Sequence, residues 1–290
     1  MLGCTARPVW AEFYLLRKPG CAMPIAMRLV TWNINSLRLR LSHIETLATT
    51  LNPDVICLQE TKVADPLFPA EALRALGFEH LHYKGMKSYN GVAILSRHPI
   101  TPLENLPNWH GKEDCRHIGV MLQTPTGPID LHDFYVPAGG DIPDPLENPK
   151  FEHKLAFVEE VTTWFTTRKP TRSILVGDFN IAPLEHDVWS HKQLLKIVSH
   201  TPPEIERLTA WRDAGFVDAM RHFVPDTEKL YTWWSYRNKD WQKSNRGRRL
   251  DHVWVTPDLT TNLKAMSVLT EARNWASPSD HVPVVVDFTF

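Results

Sequence analysis

A short apolar stretch that ends in polar residues, SILVGDFN at residues 173–180, constrains the possible folds most strongly. Its consecutive apolar residues predict a buried strand, which leads through a glycine into Asp178 and Asn180. In an α/β sheet, ligands and chemistry collect just beyond the strand ends. Because side chains alternate along extended chain, Asp178 and Asn180 share one side, where a carboxylate can bind a metal or accept a proton and an amide can donate to an anionic oxygen. The alternative is a polar turn after a strand.

The same pattern recurs upstream, where two predicted strands flank a helical pattern at residues 37–51. The first of these strands ends in Asn33, and the second leads into Glu60. A β-α-β unit places the ends of its two parallel strands at one sheet edge, so we expect Asn33 and Glu60 to be neighbours. Glutamate is a poor turn residue, which favours a functional carboxylate at position 60.

The rest of the chain continues to alternate between strands and helices. Further strands are expected at residues 92–95, 118–122, 129–136, 250–255 and 284–288, and further helices at residues 151–165 and 203–214. No low-complexity linker interrupts residues 27–290, which are expected to form one domain with a mixed sheet. Residues 1–26 lack a continuous apolar core for a secretory signal. A disordered tail or an over-long start before Met27 is expected there, with a targeting leader as the alternative.

Composition excludes several classes of protein. A formal net charge of -1 over 290 residues rules out binding through overall basicity, so a polyanion would need a local patch. The four cysteines include no CxxC pair, which favours a reduced intracellular protein without a disulfide framework. No apolar run approaches the roughly 20 residues that a membrane span needs, so no membrane partner is expected.

Acids and amides at the predicted strand ends form the candidate site. They are Asn33, Glu60, Asp178, Asn180, Asp251 and Asp280. Several carboxylates in one cleft repel one another unless a cation lies among them. Oxygen ligands without thiolates or a histidine cluster indicate a hard divalent ion, Mg²⁺ with Mn²⁺ as a substitute, rather than zinc.

One histidine, His281, directly follows an acid and precedes a strand. Pairing with Asp251 would hold its imidazole charged, or in one tautomer, and aim it at a phosphoryl oxygen or leaving group. The alternative for an isolated Asp-His pair is a satisfied turn. The wider set of acids and amides favours the functional interpretation.

A basic and aromatic segment borders this set. Residues 231–249 combine four aromatic side chains in the stretch YTWWSYR with six cations against one acid, namely Arg237, Lys239, Lys243, Arg246, Arg248 and Arg249 against Asp240. Cations that neutralise phosphates, next to rings that stack on bases, are typical of nucleic-acid contact. The alternative is a solvated basic loop over a small aromatic core. Because the segment immediately precedes Asp251, we favour contact with substrate.

Seven motifs in sequence order carry a resemblance to a known family. They are WNIN at 32–35, LQETK at 58–62, GVAILS at 91–96, YVP at 135–137, GDFNIAP at 177–183, RLD at 249–251 and SDH at 279–281. The set resembles the exonuclease III family of AP endonucleases, within the endonuclease/exonuclease/phosphatase superfamily, and covers the chain from Met27 onwards. Two departures are Ser36, where the family often has glycine, and an unmatched acidic, proline-rich loop from Asp141 to Glu152.

This resemblance implies a four-layer α/β sandwich, in which two mixed β-sheets pack face to face with helices outside. It also implies a hydrolase of the exodeoxyribonuclease III and AP endonuclease type that cleaves DNA phosphodiesters with Mg²⁺. The implied partners are double-stranded DNA with abasic sites and recessed or blocked 3′ ends. A monomer is expected, located in the cytoplasm and associated with the nucleoid.

The resemblance also assigns roles to individual residues. The metal ligands would be Glu60, Asn33 and Asp280, with Asp178 and Asn180 beside them. Asp178 would orient or deprotonate the attacking water, Asn180 would hold a phosphate oxygen, Tyr135 would lie against the scissile phosphate, and His281 paired with Asp251 would stabilise developing charge. DNA would be contacted by Trp233, which matches the lining of the pocket for a baseless sugar, and by Arg116, Lys62 and Arg248.

Two other functions stay open from the sequence. One is a phosphodiesterase of the same fold acting on sphingolipid or inositol phosphate headgroups, for which an apolar loop would be expected in place of residues 237–249. The other is a non-catalytic DNA-binding module. The acids and amides retained at every candidate ligand position argue against that module.

Overall fold

The computed structural model describes residues 26–238 and 240–290. The predicted leader therefore lies outside the described residues, apart from residue 26, at which the first strand begins. Two six-stranded sheets and a two-stranded ribbon make up the β-structure of the described ranges.

The first sheet has the strand order β13-β14-β1-β2-β4-β3. Its strands are β1 (Ala26–Asn33), β2 (Val55–Gln59), β3 (His80–Met86), β4 (Tyr89–Ser96), β13 (Leu263–Val268) and β14 (Val284–Thr289). Strands β1 and β2 are parallel, as the β-α-β prediction requires, and β1 pairs antiparallel with β14 on its other side.

The second sheet has the order β5-β6-β7-β8-β12-β9. Its strands are β5 (Ile100–Pro102), β6 (His117–Leu122), β7 (Ile129–Tyr135), β8 (Ser173–Asp178), β9 (Val217–Asp218) and β12 (Asp251–Val255). The ribbon pairs β10 (Trp233–Trp234) with β11 (Gly247–Arg248). The α-helices are α1 (Leu41–Thr50), α2 (Ala70–Arg74), α3 (Pro149–Arg168), α4 (His191–Leu194), α5 (Pro202–Asp213), α6 (Ala219–Phe223) and α7 (Trp241–Ser244).

The hydrophobic core lies in three layers, because each sheet buries both faces. Between the sheets, Val55 and Val92 of the first pack in one cluster with Val120 and Val176 of the second. The outer face of the first sheet packs against α1. The outer face of the second sheet packs against α3 and α5 through an aromatic cluster around Trp211. The predicted four-layer sandwich of helix, sheet, sheet and helix is therefore confirmed.

Two element boundaries differ from the sequence expectations. Helix α1 begins at Leu41 rather than near residue 37, because residues 38–40 form a separate 3-10 turn. The loop predicted from Asp141 to Glu152 ends earlier, since α3 begins at Pro149. The side chain of Asn148 caps that helix by accepting from the Lys150 N–H at 3.0 Å, and proline at the first helical position suits this start.

Gly177 allows strand β8 to pass very close to strand β7 just before Asp178. Its φ is +134°, and a Cβ there would lie 1.9 Å from the Phe134 carbonyl oxygen on β7. Only glycine permits this close approach of two backbones at the strand end.

Among the described residues, no helix is both long and apolar enough to cross a membrane.

Candidate active site

Four side chains at strand ends meet where the two sheets adjoin. In the first sheet, Asn33 is the last residue of β1 and Glu60 directly follows β2. In the second sheet, Asp178 on β8 and Asp251 on β12 are directly opposed partners. The Asn33 amide donates from Nδ2 to Glu60 Oε1 at 3.0 Å and to Asp178 Oδ2 at 2.8 Å. One buried amide therefore joins carboxylates from both sheets. The strand-end argument predicted that Asn33 lies beside Glu60, and the contact with Asp178 links this pair to the second sheet.

Glu60 is held as a charged carboxylate. The Tyr135 hydroxyl donates to its Oε1 at 2.8 Å, and the Lys62 ammonium lies 2.8 Å from its Oε2. Burial would raise the pKa of Glu60, but Lys62 together with the hydrogen bonds from Asn33 and Tyr135 outweighs burial and lowers the pKa. The backbone of Glu60 is left-handed, with a φ of +51°, a conformation that is uncommon outside glycine and often marks functional sites.

Asp178 is fully buried and accepts hydrogen bonds on both oxygens. Its Oδ1 accepts from the Asn180 N–H at 2.9 Å, and its Oδ2 accepts from Asn180 Nδ2 at 3.1 Å. Burial raises the pKa of Asp178 to about 7; His281 opposes this rise and Asp251 adds to it. A carboxylate with a pKa near neutrality is well matched to accepting a proton from water.

His281 forms the predicted pair with Asp251. Its Nδ1 lies 2.8 Å from Asp251 Oδ2, and its Nε2 lies 3.7 Å from Asp178 Oδ2. Burial would lower the pKa of His281, but Asp251 and then Asp178 raise it to about 10. The imidazole is therefore a protonated donor at neutral pH.

Asp280 reaches this network through a residue that sequence reasoning did not single out. Asn35 donates from Nδ2 to Asp280 Oδ1 at 3.1 Å and accepts from the Lys62 ammonium at 2.5 Å. The other Asp280 oxygen accepts from Trp233 Nε1 at 2.9 Å. The NINS stretch at residues 33–36 could have indicated Asn35 from the sequence. Asparagine tolerates a left-handed backbone, and Asn35 has a φ of +46° in this turn.

A cavity of about 1130 Å³ opens onto these groups. Glu60, Asn180, Asp280 and His281 contribute to its lining, and so do cations and aromatic rings, namely Trp189, Trp233, Arg237, Arg246 and Arg248. The guanidinium of Arg246 lies over the Trp189 ring at 4.7 Å, and that of Arg248 over the Trp233 ring at 5.2 Å. The cavity therefore combines positive charge with stacking surfaces beside the carboxylates.

Two arginines of the sequence analysis are buried rather than free. The structure corrects the assignment of Arg249 to the substrate-contact run, because its guanidinium is fully buried in ion pairs with Asp187 at 2.7 Å and Asp218 at 2.6 Å. Arg116 is also buried, with Nε 2.5 Å from Asp114 and its guanidinium over the Tyr135 ring at 4.7 Å. Lys239 of the same run lies outside the described residues.

The donor set fits a hard cation. Glu60 and Asp178 bring carboxylate oxygens together around Asn33 Nδ2, and such oxygens are what Mg²⁺ and Mn²⁺ bind. The Asn33 amide oxygen accepts instead from the Asn35 N–H at 3.1 Å. Asp178, Asp251 and His281 also bring ligand atoms within 4.8 Å of one another. A protonated imidazole has no lone pair to offer, so we favour the group around Glu60.

The chain's sequence matches a known family along most of its length. The sequence profile of the Endonuclease/Exonuclease/phosphatase family matches residues 30–281. The chain belongs to this family. It is 30% identical over 271 residues to Exodeoxyribonuclease III of Haemophilus influenzae, an alignment that covers 90% of this chain and 100% of the relative.

Solved structures agree with this assignment. An AP endonuclease from Archaeoglobus fulgidus is 30% identical, with a TM-score of 0.83 over 90% of this chain and 99% of that one. The 3′ phosphatase NExo from Neisseria, solved bound to product DNA hairpin, is 31% identical, with a TM-score of 0.82 over 91% and 100%. The chain is thus a hydrolase of the exodeoxyribonuclease III and AP endonuclease type, and the predicted family resemblance is confirmed.

Proposed function

We propose that this protein is a Mg²⁺-dependent DNA repair phosphodiesterase. It cleaves the backbone of duplex DNA at abasic sites, acts as a 3′ to 5′ exonuclease, and removes phosphate and other blocking groups from 3′ ends. The observation that carries the proposal is the bonded set of carboxylates, amides and charged imidazole that opens into a cavity lined with arginine and tryptophan. Names of the relatives, which include an exodeoxyribonuclease, an AP endonuclease and a 3′ phosphatase, support the same substrates.

Phosphodiesters are anionic and resist nucleophiles, so the site has to reduce charge repulsion. Glu60, with Asp280 and Asp178 beside it, would hold Mg²⁺ through the carboxylate oxygens that this ion prefers, and Asn33 would join them once its amide turns to present Oδ1. A bound magnesium ion supplies Lewis-acid stabilisation of the phosphate's negative charge. Tyr135 and Lys62 keep Glu60 oriented and ionised for that task.

The chain's own residues carry the proton and charge chemistry. Asp178 accepts a proton from the attacking water, because burial places its pKa near neutrality. Asn180 holds a phosphate oxygen through Nδ2, whose hydrogens bond to the Val136 carbonyl at 2.9 Å and to Asp178 Oδ2 at 3.1 Å, so the bond to Asp178 gives way when the phosphate binds. His281, kept protonated by Asp251, donates to the oxygen on which negative charge develops.

Contacts to DNA come from the arginine and tryptophan lining of the cavity. Arg248 and Trp233 form one wall, and the baseless sugar binds against it. Arg116 acts on the substrate through the Tyr135 ring that it supports, and Lys62 acts through Glu60.

Residues 27–290 work as a single nuclease domain and a monomer. The protein acts in the cytoplasm, associated with the nucleoid, where its substrate lies.

A gel assay on three DNAs tests the proposal. The DNAs are a duplex with one abasic site, a duplex with a recessed 3′ end and a duplex with a 3′-phosphate, each incubated with Mg²⁺ and with EDTA. Cleavage of at least the abasic and 3′-blocked duplexes that EDTA abolishes is expected. Binding without turnover would favour a DNA-binding module, and hydrolysis of sphingomyelin with intact DNA would favour the lipid phosphodiesterase.

A further inference from the structure

A buried ion pair lies directly behind the candidate site. Lys154 of α3 and Glu204 of α5 are both fully buried, and the Lys154 ammonium donates to Glu204 Oε1. A buried charge is costly unless it is paired and hydrogen-bonded, so a pair retained here needs a reason beyond packing. Sequence analysis assigned both residues only to helical segments.

Lys154 reaches the backbone of a candidate catalytic residue. Its Nζ donates to the carbonyl oxygen of Asn180 at 2.8 Å and to that of Ala138 at 3.3 Å. Asn180 has a left-handed backbone with a φ of +54°, which asparagine tolerates, and the ammonium supports the carbonyl group of that turn. The ammonium therefore fixes the turn from which the Asn180 amide projects beside Asp178.

Glu204 extends the same network to the cavity wall. Both of its oxygens accept from the Ser199 N–H at 2.9 Å, and Oε2 also accepts from the Thr201 hydroxyl at 2.7 Å. Residues 198 and 199 in turn hold Arg248, whose Nη1 donates to the Val198 carbonyl at 3.0 Å and to Ser199 Oγ at 2.7 Å. Ser199 itself has a φ of +87°, so this turn also depends on outside support.

We propose that Lys154 is a positioning residue for Asn180, and that Glu204, which anchors Lys154, also positions Arg248. One buried ion pair thus sets the relative placement of an amide that acts on the scissile phosphate and a guanidinium that contacts the substrate beyond it. This inference rests on the proposed function, since it gives Asn180 and Arg248 their partners. It predicts separate kinetic effects for the two branches of the network.

The test compares variants of the full chain on a fluorescent abasic-site duplex with Mg²⁺. Because the single substitution Lys154→Met leaves a buried carboxylate unpaired, it is made together with Glu204→Gln, which keeps an acceptor for Ser199. This double variant should lower kcat by about tenfold or more, because small misplacements of catalytic groups have effects of that size. Ser199→Ala, which removes only one anchor of Arg248, should raise KM and weaken DNA binding in EDTA while leaving kcat unchanged.

A double-mutant cycle separates positioning from general loosening of the fold. In an Asn180→Ala background, the Lys154→Met and Glu204→Gln changes should lower kcat by less than about twofold further, since coupled groups are not additive. Arg207→Gln is the matched control, because Arg207 pairs with Glu159 between the same two helices at 3.7 Å on the surface. Its kcat and KM should equal those of the wild type.

The inference is overturned if the losses of kcat from Asn180→Ala and from the Lys154→Met and Glu204→Gln changes multiply when they are combined. It is also overturned if the folded double variant has the kcat of the wild type. Cooperative thermal unfolding identifies the folded variants. If the wild-type chain itself cleaves none of the three DNAs, the proposed function fails. If the wild type cleaves them and the double variant does so equally well, only the positioning role fails.

Discussion

Replacing Asp178 by asparagine is the sharpest test of the proposed chemistry. In the structure, Oδ1 faces the Asn180 N–H, and Oδ2 faces the amide groups of Asn33 and Asn180. Every neighbour within hydrogen-bond distance is thus a donor. In Asp178→Asn, one oxygen becomes an NH₂ group, which must point at a donor whichever way the amide is turned.

The expected loss of rate follows from the lost proton acceptor. A positioned general base contributes about 10²- to 10⁴-fold, so the cleavage rate should fall by at least about 100-fold. That range corresponds to about 2.7–5.4 kcal/mol of transition-state stabilisation. Stability should change less, because burial already disfavours the charged form of Asp178 and the neutral amide removes that penalty, which offsets part of the cost of an unpaired donor of about 1–3 kcal/mol.

The assay is single-turnover cleavage of an abasic-site duplex with saturating enzyme and Mg²⁺. Asp130→Asn is the matched control, because Asp130 lies opposite Ser173 at the other end of the same pair of strands. The control should cleave at the wild-type rate. An Asp178→Asn variant that cleaves within about tenfold of the wild type, well short of a general base's contribution, would remove Asp178 from the proton-accepting role.

Three further outcomes are expected. Arg249→Met should lower the free energy of unfolding in urea by about 3 kcal/mol, because it removes the arginine partner of Asp218 and one of the two arginine partners of Asp187, the other being Arg221. Arg246→Met should instead weaken DNA binding without changing stability. In EDTA, protonated His281 should contribute its full stabilisation below pH 6.5 and lose it as the pH rises through about 10. Urea unfolding at several pH values measures this, and the free energy of unfolding of Asp251→Asn should fall less over the same pH range. Mg²⁺ should raise the unfolding temperature of the wild type but not of Glu60→Gln, and an equal rise in both would place the ion elsewhere.

The sequence was sufficient to predict the parts of the site that follow strand periodicity. Asn33, Glu60 and Asp178 each come at the end of an apolar run, and a parallel connection brings the first two to one edge of the first sheet. Packing of the two sheets then brings Asp178 to them. The pairing of His281 with Asp251 was also predicted, because both flank strands that had to approach this edge. These positions depend on local pattern and on chain topology, which a single sequence contains.

Contacts between distant and individually ordinary residues could not be predicted in this way. Arg249 stands in a run of cations and was therefore expected to face the substrate, but its partner Asp187 is 62 positions earlier and carries no local signal. Lys154 lies on a helix where its spacing is that of any buried position. Whether a charged residue faces solvent or a buried partner is decided by packing between elements, which composition does not encode.

The order of the strands has a consequence for synthesis of the protein. Strand β1, which carries Asn33, is flanked in its sheet by β2 on one side and by β14 on the other. The β14 strand, with Asp280 and His281 just before it, is translated some 250 residues after β1. A nascent chain on the ribosome therefore has an open sheet edge and lacks the imidazole, so under the proposed mechanism it cannot cleave nucleic acid until the last strand has emerged.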